Sequence, residues 1–167
     1  MLDHALLREI QTYIQTHIEP ICFKLQESIY FIDSAIENST SEDALEDFIK
    51  ENRKPSLSSV LFSFIDQTGE TDATIYNRAG IDRKLFSKIR TNPNYHPRKS
   101  TILALALALQ LNKDDTDILL NAAGYSLSSS ETSDLIVQFC IEKKIYNIFD
   151  VNQALEHFHE KPLNGLL

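Results

Sequence analysis

Residues 71–81 read TDATIYNRAGI, and residues 82–90 continue DRKLFSKIR. Ile75 and Tyr76 mark the apolar side of a first short helix, which Thr71 can cap through its hydroxyl. Gly80 stands where a tight turn calls for positive φ. Asp82 then caps a second helix, whose apolar residues Leu85, Phe86 and Ile89 recur at helical spacing. Two short helices joined by a glycine turn of three to four residues have the layout of a helix-turn-helix. Ile75, Ala79, Ile81, Phe86 and Ile89 are the expected shared core of the motif. Arg83, Lys84, Ser87, Lys88 and Arg90 are left to face outward, and most of them are cationic.

The pattern stays helical on either side of this stretch. Upstream, Val60, Leu61, Phe64 and Ile65 form a stripe that Gly69 ends. Downstream, Pro93 and Pro97 bar helix from the loop at 91–97. The run TILALALAL at 101–109 alternates as a strand would, but alanine's propensity and the Leu105–Leu109 spacing favour helix over 100–111. Asp114 and Asp115 start the next helix, which Gly124 stops. Ser128 with Glu131 has the spacing of a capping box before Leu135, Ile136, Phe139 and Cys140. Asp150 is the expected cap of a last helix through Val151, Leu155 and Phe158, with a loose tail after Lys161.

At the other end, Leu2, Leu6, Leu7, Ile10, Tyr13, Ile14 and Ile18 form one stripe. Ile21, Leu25, Ile29, Ile32 and Ile36 form a second after Pro20, and Ala44, Leu45, Phe48 and Ile49 a third capped by Thr40 or Ser41. Pro55 lies at the clearest compositional boundary. The reading is all-α, in three regions: an acidic helical region at 1–56, a helix-turn-helix core at 57–125 and a helical extension at 126–167.

Over residues 57–120 the chain resembles the phage-repressor-like (Cro/repressor or XRE-type) helix-turn-helix family. The likeness rests on the helix before Gly69, AGI at 79–81, FSKI at 86–89, Pro97 and the run at 101–109. The segments NRAGIDRKLFSKIR and IYNIFDVNQALEHF are also similar to a helical module at the C-terminus of some bacterial macro-domain proteins. The first resemblance implies a five-helix core flanked by N-terminal helices and a C-terminal helix pair. It also implies a bacterial, cytoplasmic transcription regulator that binds double-stranded DNA as a homodimer, with two motifs in successive grooves. In that reading Arg83, Lys84, Ser87 and Lys88 approach the major groove, Arg90 lies beside them, and Arg78, Arg98 and Lys99 contact phosphates.

Four positions depart from the family pattern. Asp72 stands where DNA readers often carry glutamine, and a carboxylate there repels phosphate. Tyr76 replaces an alanine, Arg90 a glutamate and Gln110 a glycine. The alternative expectation is therefore the same fold used as an adaptor for a protein partner.

Charge bears on both readings. The 167 residues carry 24 acidic and 16 basic side chains, a net of −8. Residues 1–57 have a net of −6, residues 58–125 of +1 and residues 126–167 of −3. Within 78–99 stand seven cations (Arg78, Arg83, Lys84, Lys88, Arg90, Arg98, Lys99) against one acid, Asp82, and Tyr95 and His96 lie in the same loop. Such a local basic cluster is the electrostatic footprint of a DNA-binding face.

Other chemistry is hard to assemble from this sequence. Cys22 and Cys140 lie among apolar residues and read as two buried thiols. His157 and His159, two apart, do not converge on one metal from a helix. No glycine-rich phosphate loop or nucleophile elbow is present, so no cofactor, metal or catalytic role is expected. The first residues lack the pattern of a signal peptide, and the longest apolar run, at 102–109, is too short for a membrane helix.

Overall fold

The computed structural model describes residues 4–17 and 42–164. The second N-terminal stripe, at 21–36, its neighbours Thr40 and Ser41, and Leu2 and Ile18 of the first stripe lie outside the described residues. Nine helices and no strand occur among the described residues, so the fold is all-α. Residues 1–18 and 55–167 belong to one unit, and residues 19–54 to another.

The described part of the second unit is α2 (Glu42–Asn52), with Leu45, Phe48 and Ile49 exposed on one side. The first unit contains α1 (His4–His17) and then α3 (Leu57–Thr68), α4 (Asp72–Arg78), α5 (Arg83–Thr91), α6 (Lys99–Ala108) and α7 (Lys113–Ala122). It ends with α8 (Thr132–Glu142) and α9 (Ile148–His157).

The alternating leucine–alanine run is α6, and every residue from Ile102 to Ala108 in it is buried. Its lack of a polar side follows from its surroundings, since α4, α7 and α9 all pack against it. A helix enclosed in this way has no reason to be amphipathic, and the alternation marks burial all round rather than a strand.

α1 packs on α8, although sequence grouped it with the acidic N-terminal region. Ile10 and Ile14 enter the core, and Tyr13 donates its hydroxyl proton to the Glu142 carboxylate at 3.0 Å while accepting from the Gln138 amide at 2.9 Å. Lys143 pairs with Glu9 at 2.6 Å. Burial and the Glu142 carboxylate together push the Tyr13 phenol up to about 12. Burial, with Asp150 adding to it, pushes the Cys140 thiol up to about 12, so it is an inert core residue.

Helix starts agree with the sequence around the central motif and differ elsewhere. Thr71 and Asp82 accept from N–H groups of α4 and α5 as expected, and Ser56, for which the sequence raised no expectation, does the same for α3. Asn112 caps α7 and Asn147 caps α9, each ahead of the aspartates expected there. Those aspartates sit inside the first turns, where a carboxylate meets the positive end of the helix dipole. The capping box at Ser128 and Glu131 does not form, and α8 begins at Thr132 without a side-chain cap. The buried Asp134 carboxylate instead takes the Ser128 N–H at 2.7 Å and pairs with Lys99.

Helix ends share one device. At α4, α6, α7, α8 and α9 a residue with positive φ (Gly80, Gln110, Gly124, Lys144, His159) lets the next N–H reach back to a carbonyl one turn inside. This is the Schellman closure. Gln110, Lys144 and His159 adopt it despite their side chains, with φ of 54°, 59° and 62°. Gln110 thus makes this turn without a glycine.

Candidate DNA-binding face

The motif core holds as its residue types suggest. Ile75, Ala79, Ile81, Phe86 and Ile89 are all buried, and they fix α4 against α5 through the turn at Gly80. Tyr76 fits the crossing by tilting onto Phe86, with ring centres 5.6 Å apart, and Phe62 of α3 meets Phe86 edge-on at 5.8 Å. The following loop is tied down by the Asn92 side chain, which accepts from Asn94 N–H, and by the Tyr125 hydroxyl, which donates to the Pro97 carbonyl.

The eight polar residues assigned to DNA contact fall into two groups. Arg83, Lys84, Ser87 and Lys88 are exposed along the outer side of α5, and Arg98 is exposed at the end of the loop. None of the four cations among them forms an ion pair among the described residues. Lys88 lies 4.3 Å over the Tyr95 ring, which holds its ammonium on the same side as the loop.

The other three are paired with other groups of the protein, Arg90 while remaining exposed. Arg78 is only partly exposed, donating to the Ala108 carbonyl at 2.7 Å and to Glu70 at 3.0 Å. It thereby satisfies a carbonyl at the end of α6, which the helix itself leaves unpaired. Lys99 reaches back to Asp134, whose side chain is only 6% exposed. Arg90 pairs with Asp72 at 2.9 Å and lies 4.3 Å over the Phe62 ring.

Asp72 therefore faces a cation on the partner helix and is not a bare carboxylate. Asp72, Tyr76, Arg83, Phe86, Ser87 and Arg90 together line a shallow hollow of about 440 Å³ where α4 meets α5. Asp72 and Arg90 thus form an aspartate–arginine pair across the crossing of α4 and α5. Nothing in the spacing of these residues pairs them, nor Arg78 with Glu70 and Ala108.

Among the described residues no group of three histidine, cysteine or acidic side chains gathers to hold a metal. No described helix is long and apolar enough to cross a membrane. No protein-family model, curated protein or solved structure matches the chain.

Proposed function

We propose that this chain is a DNA-binding regulator of the repressor-like helix-turn-helix type, which presents α5 to the major groove of duplex DNA. The observation that carries the reading is the division of α5 into two sides. One side is locked into the motif core by Phe86 and Ile89, and the other carries Arg83, Lys84, Ser87 and Lys88, with no ion pair to any of these cations among the described residues. Rigid presentation of unpaired cations from a short helix is what phosphate attraction and base-edge contact require. Arg98 extends this face, whereas Arg78 and Lys99 act as framework. Arg90 joins the face only when it leaves Asp72. The regulator works as a homodimer, because one short helix reads too few base pairs for selectivity. Retention of duplex DNA that weakens with salt and is removed by Lys88→Glu tests this function, alongside light scattering for the dimer.

The second reading is an adaptor that uses the same face for an acidic protein partner. It is favoured by the internal engagement of Arg78, Arg90 and Lys99, which leaves fewer cations for DNA than the sequence count suggests. A stoichiometric partner that survives nuclease treatment, with no DNA retention, selects the adaptor.

A further inference from the structure

The chain's last described residues do not trail away as their sequence suggested. After α9 closes at His159, residues 160–164 run back across the molecule to the helix-turn-helix. Asn152, 1% exposed on α9, uses both ends of its amide on this segment. Its Oδ1 accepts from the Leu163 N–H and its Nδ2 donates to Asn164 Oδ1, each at 2.9 Å. Asn164 in turn donates its own Nδ2 to the Ala79 carbonyl at 2.7 Å.

Ala79 is the residue at which α4 ends. Its carbonyl is one of those a helix leaves without an internal partner, and here a side chain 85 residues further along supplies one. The next two N–H groups, of Gly80 and Ile81, make the bonds that form the motif's turn. Residues 159–164 also form one wall of a cleft of about 1070 Å³, whose other walls include Gly80–Asp82, the start of α6 and Asp134 of α8.

We infer that residues 159–164 are a latch, which when docked fixes the helix-turn-helix turn and when released frees that turn and opens the cleft. Docking leaves the Asn152 amide, the Leu163 N–H and the Ala79 carbonyl partnered, and release breaks these three hydrogen bonds at once. The latch is thus a two-state element, held by one buried asparagine at its root and one side chain at its tip. It concerns the turn and not its ligand, so it stands or falls separately from DNA binding.

Amide hydrogen exchange on the full chain without DNA tests it. Asn164→Asp keeps an acceptor for Asn152 but has no donor for Ala79, and Asn164→Ala has neither. Exchange of the Gly80 and Ile81 amides rises roughly 3- to 10-fold in both variants, the range one modest hydrogen bond implies. Amides of α3 and α7 keep their wild-type rates. In Asn164→Ala the Leu163 amide speeds up as well. Unchanged exchange at Gly80 and Ile81, or acceleration spread evenly over α3 and α7, overturns the latch.

Discussion

Asp72 at the start of α4 and Arg90 near the end of α5 form an ion pair at 2.9 Å across the mouth of the helix-turn-helix. The guanidinium sits at the same time 4.3 Å above the Phe62 ring, so α3, α4 and α5 meet at one charged contact. Both partners remain substantially accessible, which limits its effect on stability. Asp72→Gln is expected to lower stability by less than about 1 kcal/mol in urea unfolding. The same change removes a carboxylate and frees Arg90, so DNA retention in low salt increases. Weaker retention with unchanged stability contradicts this account of Asp72.

The two groups of cations separate on substitution. Lys99→Met leaves the buried Asp134 without its cation and is expected to destabilise by about 3 kcal/mol. Arg78→Ala frees the Ala108 carbonyl and Glu70, at about 1–3 kcal/mol. Arg83→Ala and Lys84→Ala stay within about 0.5 kcal/mol of the parent chain. Denaturant midpoints for the four variants check the ordering.

Gln110, Lys144 and His159 are exposed and hold positive φ where glycine fits without strain. Glycine at any of the three is expected to raise stability by about 0.5–1 kcal/mol, read as a higher urea midpoint with unchanged slope. A loss at Gln110 would mean that its side chain contributes more than its backbone strain costs.

Alkaline pH probes the seat of α1. The Tyr13 phenol is raised from 10.0 to about 12, so its neutral form is favoured in the folded state. The contribution is full below pH 10 and is lost as pH rises from about 10 to about 12. Tyr13→Phe removes the ionising group, and its stability therefore falls less steeply over that window. Cys140 behaves in parallel, its thiol held up at about 12, and a Cys22→Ser chain is expected to resist thiol reagents at pH 8 until unfolded.

The parts that were legible in the sequence are those set by near neighbours. Thr71, Gly80 and Asp82 act within four residues of their own positions, and the buried set Ile75, Ala79, Ile81, Phe86 and Ile89 follows from helical spacing. The charge partners are set by how helices cross. Arg78 meets Glu70 eight residues back and the Ala108 carbonyl thirty residues on, and Lys99 meets Asp134 thirty-five residues on. No periodicity records those meetings. Asp134 shows the consequence most directly, since its pairing with Lys99 and Ser128 replaces the local capping box that the spacing of Ser128 and Glu131 suggested. The tail is a further case, because the partner that holds Asn164 is a backbone carbonyl, which has no sequence signature.

The binding of duplex DNA measured across a salt series tests the central claim most directly. Arg83, Lys84, Lys88 and Arg98 form no ion pair among the described residues, so the logarithm of the binding constant should fall with the logarithm of salt at a slope of roughly −3 to −4 per protomer. Lys88→Glu should abolish retention, while Arg78→Lys should leave the slope unchanged. Absence of retention at low salt, or retention indifferent to Arg83, Lys84 and Lys88, contradicts the reading of α5 as a DNA-binding helix.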